Sequence, residues 1–265
     1  MPVASDLYNL KRRLDRYFWN NDSPELVRLR HVLDKYFFDF DIAVIGGLVR
    51  DFAREGRAAF RSDVDLVIDA RECEVASLAE KLNARPNRFG GFGYHCQPWK
   101  IDFWALEATW AAKAGYVQVF QWEDLIKCTF FDWDAAVYNL SNRRVICEVS
   151  YLDKIRNQEL EINLRPNPSI RGNLLRAVRR LILWNLKPGP RLWAFMKETL
   201  NDETFAAIKK LEFVEHPQAV MRPFADVDAL WRYLVERESA VGKPVRATQH
   251  SLSLETTISG KATQN

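Results

Sequence analysis

The chain has 265 residues, of which 48% are hydrophobic and 12% aromatic, so it is long and apolar enough to bury a core in one large or two modest domains. Its formal net charge of +3 is too small to indicate a nucleic-acid-binding protein by itself. The sequence contains no signal-peptide core, no CxxC pair for zinc and no apolar run near the ~20 residues of a membrane span, so we expect a soluble cytoplasmic protein with free thiols and no membrane partner.

The first 41 residues are predicted to form helices that pack on the domain that follows. Apolar residues recur at helical spacing over residues 5–38, and the pattern breaks at residues 21–24. Ser23 is the predicted N-cap of the second helix, with Pro24 at its first position. The segment DIAVIGG then predicts a buried strand that enters a glycine turn. LVRDFAREG predicts a helix closed by Gly56, and SDVDLVID predicts a second strand.

Helices and strands alternate as far as residue 160, which predicts a mixed sheet with packed helices. ECEVASLAEKLNA predicts a helix, and YHCQPWKIDFWALE and NRRVICEVS each predict a strand. Helices are also predicted around 121–128 and at 132–140, the latter begun by Asp132.

The two prolines of NLRPNPS mark a boundary near residue 160. The segment 161–245 is predicted to be a helical domain, with helices at 169–186, 190–200, 202–211, 216–222 and 226–239. The segment 246–265 is rich in Ser and Thr and is predicted to be a flexible tail.

Two aspartates, Asp63 and Asp65, stand one residue apart in an otherwise apolar strand. Residues two apart in a strand face the same way, so the two carboxylates repel each other on one face. A cation removes this repulsion, and hard oxygen ligands suit Mg²⁺, with Mn²⁺ as an alternative. If KIDFWAL pairs beside this strand, Asp102 completes a site for two ions ~3.5–4 Å apart, which supports in-line phosphoryl or nucleotidyl transfer.

The glycine turn before this strand fits the same chemistry. Gly46 and Gly47 allow the backbone to approach phosphate closely, and the helix that follows directs N–H groups at an anion. Arg50, one turn into this helix, is a candidate for the same phosphates. The alternative is that Arg50 pairs with Asp51.

The order GGLVRDF followed by SDVDLVID resembles the GGxVRD and DxD motifs of polymerase-β-type nucleotidyltransferases. The branch most similar to it contains the bacterial CCA-adding enzymes and poly(A) polymerases. The residues that match the motif are Gly46, Gly47, Arg50, Asp51, Asp63 and Asp65. The resemblance extends from residue 42 to about residue 185. It implies an α+β fold, in which a small mixed-sheet nucleotidyltransferase head is followed by a helical neck that reads the incoming base.

Two later motifs of the family are present in altered form. FFDWDAAVYNL resembles RRDFTxNAxAYN, which implies a nucleotide contact for Asn139, although Asp134 replaces an asparagine and no RRD precedes Phe131. NLLRAVRRL resembles the neck motif EDPLRxLRAxRF and matches it at Arg176 and Arg179.

The base-reading Asp and first Arg of that neck motif are replaced by Ile170 and Asn173. Ile170 has no donor or acceptor, and Asn173 presents a single amide that suits several bases. The resemblance therefore implies nucleotide contacts by Asn173, Arg176 and Arg179, together with relaxed or altered NTP selection rather than ordered CCA addition.

A basic block runs from Ile162 through Lys197, with eight Lys or Arg residues and no acid. It favours an RNA or NTP surface, and a tRNA-like acceptor is one candidate partner; the alternative is a solvated helix face. We expect a metal-dependent enzyme that moves a nucleotide from an NTP to a hydroxyl of an RNA 3′ end, a protein or a small molecule. The alternative is a degenerate head retained as an RNA- or nucleotide-binding module.

Overall fold

The structure, a computed structural model, describes residues 2–60 and 63–240. Two amphipathic helices, α1 (Leu7–Phe18) and α2 (Pro24–Tyr36), begin the chain and confirm the helices predicted there. Ser23 occupies the N-cap of α2, with Pro24 at its first position, but the Ser23 hydroxyl does not accept a capping hydrogen bond. Its backbone carbonyl begins the helix by accepting from the N–H of Val27 at 3.0 Å.

A seven-stranded mixed sheet lies at the centre of the described residues, with strand order β3-β4-β5-β2-β1-β6-β7. Its strands are β1 (Asp41–Ile45), β2 (Val64–Asp69), β3 (Arg85–Pro86), β4 (Phe92–Cys96), β5 (Trp99–Ala105), β6 (Ala136–Asn139) and β7 (Arg144–Cys147). Strands β2 and β5 are parallel, and the other neighbours are antiparallel. This sheet and the helices that follow it confirm the predicted α+β fold class.

Further helices follow along the described chain. They are α3 (Gly47–Arg54), α4 (Glu72–Leu82), α5 (Trp110–Lys113), α6 (Trp122–Leu125), α7 (Tyr151–Arg156), α8 (Ile170–Leu183), α9 (Pro190–Thr199), α10 (Asp202–Glu215) and α11 (Val227–Ala240). A short parallel pair, β8 (Glu159–Leu160) and β9 (Lys187–Pro188), joins the segments that flank α8. Among the described residues, no helix combines the length and apolar character that crossing a membrane requires.

The two faces of the central sheet are covered differently. On one face, aromatic pairs hold the N-terminal helices to the strands: Phe18 stacks on Tyr138, and Phe37 meets the ring of Phe103 edge-on. On the other face, an apolar cluster includes Val67 of β2 and Leu125 of α6. Side chains alternate along a strand, so Asp65 shares this second face with Val67.

The helix predicted at 132–140 is wrong. A short 3₁₀ turn, Asp132–Asp134, is followed there by β6, whose residues are all buried. Tyr138 pairs with Val44 on one side and with Val145 on the other, so both edges of β6 are occupied. A central strand buried on both faces shows no alternation of polar and apolar residues, and tertiary pairing decided its structure.

The helix predicted at 216–222 is also wrong, because turns follow α10 there. His216 precedes a proline, which disfavours helical backbone, and it is extended. The buried carboxylate of Glu212 accepts hydrogen bonds from the N–H groups of Val220 and Met221, at 3.0 and 2.9 Å, and so fixes the turn. The neighbouring predictions at 202–211 and 226–239 correspond to α10 and α11.

The described chain divides into two units, with the boundary between Val227 and Asp228. The predicted divisions into N-terminal helices (1–41), a head (42–160) and a helical neck (161–245) stay predictions. The predicted tail, 246–265, lies outside the described residues.

Candidate active site

Three aspartates meet where β2 and β5 run side by side. The parallel register pairs Asp65 with Asp102, and Asp63 precedes β2 by one residue. Lys100 lies two residues before Asp102 on the same strand and therefore on the same face. Its Nζ donates to Asp63 Oδ2 at 3.0 Å and to Asp102 Oδ2 at 2.9 Å. The structure thus brings the three predicted carboxylates together, with an ammonium group between two of them.

The glycine turn lies directly beside these carboxylates. Ile45, the last residue of β1, pairs with Asp65. Gly46 follows it as the N-cap of α3 with φ of 76°, a conformation that favours glycine. A Cβ on Gly46 would lie 3.9 Å from Asp65 Oδ2. The first turn of α3, which begins at Gly47 and carries unpaired N–H groups, therefore starts next to the acidic cluster.

Burial and mutual repulsion perturb this cluster. The pKa of Asp65 is raised to about 7, first by burial and then by the neighbouring charges of Asp102, Asp63 and Asp134. Burial alone would lower the pKa of Lys100, but its hydrogen bonds to Asp102 and Asp63 raise it above its ordinary value. Three carboxylates face one ammonium here, so the cluster keeps an excess of negative charge that a further cation would stabilise.

A second, more buried charge network lies between α3 and α8. Arg50 donates through Nη1 to Asp134 Oδ1 at 2.6 Å and through Nε to Asp51 Oδ1 at 2.9 Å. Arg180 donates to the other oxygen of Asp134 at 2.8 Å. Burial would raise the pKa of Asp134, but the two guanidinium groups outweigh it and hold this pKa at about 2. Arg50 thus makes the pairing with Asp51 that was the alternative to a phosphate contact, and its phosphate contact stays a prediction.

Trp184 extends this network at the end of α8. The guanidinium groups of Arg54, Arg50 and Arg180 lie 4.2, 5.0 and 5.5 Å from the centre of its ring. The ring also stacks on Trp133 at a centroid distance of 6.0 Å. Cations over an aromatic face are attracted to it, so this layer attaches α8 to α3.

Several of these residues are missed by sequence reasoning, and two of them leave a signal in the sequence. Lys100 can be found from the sequence, because in the strand segment KID it stands two residues before Asp102 and therefore shares its face. Asp134 is visible as the replacement within the FFDWDAAVYNL motif, but its two arginine partners are remote in sequence. Nothing in the local pattern indicates Arg180 or Trp184.

The structure does not bring two of the predicted nucleotide contacts, Asn139 and Arg179, to the carboxylates. Asn139 is fully buried in β6 and donates to Asp41 Oδ1 at 2.9 Å, at the end of β1 remote from Gly46. Arg179 pairs with the buried Glu212 of α10 and donates to the backbone carbonyl of Gln218 at 2.6 Å. Both side chains are engaged in holding the fold.

The other two predicted nucleotide contacts lie on α8. Asn173 is buried near the start of the helix, and Arg176 is exposed one turn later. Ile170, at the first helical position, is 55% exposed. The roles of Asn173 and Arg176 in nucleotide binding stay predictions.

The basic block at 162–197 is partly neutralised in three dimensions. Four of its arginines form ion pairs with acids outside the block: Arg165 with Glu198, Arg171 with Glu203, Arg179 with Glu212 and Arg180 with Asp134. Three of these acids follow the block in sequence and lie on α9 and α10. The uninterrupted positive charge of the sequence is therefore not an uninterrupted positive surface.

The carboxylates fit a divalent cation in chemistry. Within the described residues, no group of three His, Cys, Asp or Glu side chains is already arranged to hold a metal ion. In the structure the ammonium group of Lys100 contacts Asp63 and Asp102 instead. The oxygen donors of Asp63, Asp65 and Asp102 are those that Mg²⁺ or Mn²⁺ takes, provided that Lys100 moves away.

The fold of this chain, a mixed sheet followed by helices, is shared with solved structures of CCA-adding enzymes. A CCA-adding enzyme in complex with CTP matches with a TM-score of 0.54 and 14% identity, over 90% of this chain and 56% of that chain. A CCA-adding enzyme in complex with ATP matches with a TM-score of 0.52 and 15% identity, over 90% of this chain and 56% of that chain. The Thermotoga maritima CCA-adding enzyme complexed with tRNA matches with a TM-score of 0.50 and 16% identity, over 89% of this chain and 56% of that chain.

The chain therefore spans about 56% of the length of these solved structures. No family model matches the sequence, and no curated protein matches it. The likeness confirms, at the level of the fold, the resemblance that the sequence motifs carry.

Proposed function

We propose that this chain is a metal-dependent nucleotidyltransferase that moves a nucleotide from an NTP to a hydroxyl acceptor. One observation carries the proposal: the parallel register of β2 and β5 sets Asp65 beside Asp102, next to the N-terminus of α3 at Gly46. Paired carboxylates and a helix N-terminus are the groups that a triphosphate with its cations requires. The fold shared with the CCA-adding enzymes supports the same class of reaction.

Each group has a proposed role. Asp63, Asp65 and Asp102 hold the cations, and the N–H groups that begin at Gly47 receive phosphate oxygens. Two Mg²⁺ ions, or Mn²⁺ in their place, would supply activation of the attacking hydroxyl and neutralisation of the departing pyrophosphate. Arg50 hydrogen-bonds Asp134, whose charge acts on Asp65, and Arg180 of α8 hydrogen-bonds the same carboxylate.

The acceptor that we propose is an RNA 3′ end, such as that of a tRNA-like molecule. One of the structures with this fold contains tRNA. In this chain the exposed Arg176, with Arg191 and Lys197, remains to contact a polyanion, while four other arginines of the block are paired. Because Ile170 cannot hydrogen-bond a base, we expect altered NTP selection and no ordered C-C-A addition.

The test is incorporation of each labelled NTP, with Mg²⁺, into a tRNA that lacks its CCA end, into total RNA and into protein. Asp65→Asn should abolish incorporation. Asp69→Asn is a matched control, because Asp69 lies four residues further along the same strand, on the same face, and is exposed at its far end. Turnover in excess EDTA, or full activity of Asp65→Asn, would refute the mechanism. Clean stepwise C-C-A addition would refute the proposed base selection.

A second candidate is a head that binds nucleotide or RNA without catalysis. The observation that favours it is the pair of hydrogen bonds from Lys100, which compensates two of the three carboxylates without a metal. Equilibrium dialysis separates the two candidates. Nucleotide binding without product in every combination of NTP, metal and acceptor would support the binding module and contradict the enzyme.

A further inference from the structure

We propose that Lys100 is a built-in counter-cation of the carboxylate cluster, which a divalent ion must displace and which then becomes available to the triphosphate. The inference rests on the proposed function and adds a residue that none of the family motifs contains. In this inference, Lys100 makes the affinity for the metal low in the protein alone and higher in the presence of nucleotide.

The position of Lys100 is fixed by the strand that carries it. Lys100 and Asp102 are two residues apart on β5, so both side chains lie on the face that also holds Asp65. The Nζ atom lies 3.0 Å from Asp63 Oδ2 and 2.9 Å from Asp102 Oδ2, and it joins two carboxylates from neighbouring segments of the sheet. The proposed metal site would draw on the same two carboxylates.

An ammonium group and a divalent ion compete for these two carboxylates. Both need contact distances near or below 3 Å, and at such a separation two cations repel each other strongly. Binding of the metal therefore requires Lys100 to leave. The Lys100 side chain is 43% exposed and has four flexible carbons, so it has room to move.

The direction in which Lys100 moves links metal binding to nucleotide binding. Without nucleotide, the displaced ammonium is left to water. Metal binding then costs the two ion pairs of Lys100, and this cost lowers the affinity for the metal. With a triphosphate at the start of α3, the ammonium gains an anion close by. Metal and nucleotide then favour each other's binding, which is a coupling between two ligands through one side chain.

The alternative is that Lys100 only ties the start of β2 to β5. Its removal would then reduce stability without increasing the affinity for a metal. The chain offers a matched control in Lys113, which makes one ion pair with Glu72 at 2.7 Å, outside this site, and has a similarly exposed side chain. Lys113→Met loses a lysine and an ion pair but leaves the cluster unchanged.

The experiment measures Mn²⁺ affinity by electron paramagnetic resonance, without nucleotide, for wild type, Lys100→Met, Lys100→Gln and Lys113→Met. Circular dichroism checks that each variant is folded. We expect both Lys100 variants to bind Mn²⁺ roughly 3- to 30-fold more tightly, since two half-exposed ion pairs no longer compete. Lys113→Met should match wild type, and adding Asp65→Asn to Lys100→Met should remove the gain.

The outcomes separate this inference from the proposed function. Unchanged or weaker Mn²⁺ affinity in both folded Lys100 variants, with nucleotide transfer by wild type intact, would overturn the role of Lys100 alone. Absence of Mn²⁺ binding by every variant, together with absence of transfer, would overturn the metal site and the inference with it.

Discussion

Replacing Asp65 by asparagine should stabilise the protein at alkaline pH in the absence of metal, although it destroys the proposed site. In the folded chain the pKa of Asp65 is raised to about 7, first by burial and then by Asp102 and Asp63. A raised carboxyl pKa means that folding favours the neutral acid. The contribution of Asp65 is therefore most favourable below its unfolded pKa of 3.8, and it is lost as pH rises through about 7.

The size of the effect follows from the shift. One pKa unit corresponds to about 1.36 kcal/mol, so the raised pKa of Asp65 costs about 4 kcal/mol of unfolding free energy at pH 8, where the folded chain holds it ionised. At pH 5, where the folded chain holds it mostly protonated, the cost is about 2 kcal/mol. Asparagine carries no charge at either pH. The stability gained by Asp65→Asn should therefore be roughly 2 kcal/mol larger at pH 8 than at pH 5.

Urea unfolding followed by tryptophan fluorescence, in EDTA at pH 5 and pH 8, measures this difference. Asp69→Asn, on the exposed far end of the same strand, should change stability little at either pH. Adding Mg²⁺ at pH 8 should stabilise wild type and leave Asp65→Asn unchanged, because only the ionised carboxylate binds it. An equal effect of Asp65→Asn at the two pH values, or a loss of stability at pH 8, would show that Asp65 is not held in a repulsive, desolvated cluster.

The buried network at Asp134 gives two further predictions. Asp134→Asn leaves Arg180 buried without a carboxylate and Arg50 with Asp51 alone, and it should lower the unfolding free energy by roughly 3–5 kcal/mol in urea unfolding; a loss below about 1 kcal/mol would contradict the network. Arg50→Lys replaces the separate Nε and Nη1 donors to Asp51 and Asp134 by a single ammonium group, and it should lower stability while leaving NTP affinity within about twofold in equilibrium dialysis, since the structure uses this guanidinium within the protein. If the variant were stable but bound NTP much more weakly, the result would instead support a contact between Arg50 and the phosphates.

The spacing of residues was enough to predict most of the helices and the paired aspartates. In α1 and α2, apolar residues recur at the period of a helix because one face of each is buried. In SDVDLVID, the alternation of side chains along a strand predicts that Asp63 and Asp65 share one face. The same reasoning failed for β6, because burial on both of its faces removes the alternation.

The pairing of Asp65 with Asp102 needed the tertiary structure. The two residues come from strands separated in sequence by α4, β3 and β4, and their register is set by how those elements pack. A shift of one residue would turn Asp102 to the opposite face. The sequence supplied a third carboxylate of the right type, and the parallel register made it a neighbour.

The sequence by itself determined local facts: which residues are charged, which face of a helix or strand they occupy, and that a glycine turn precedes the paired aspartates. Only the tertiary structure decided their partners. Arg179 and Arg180 are adjacent on α8, yet about 100° apart around the helix, so one meets Glu212 of α10 and the other meets Asp134. Lys100 likewise bridges Asp63 and Asp102 across two strands. Electrostatic attraction acts through space over a few ångströms, and separation along the chain does not report that distance.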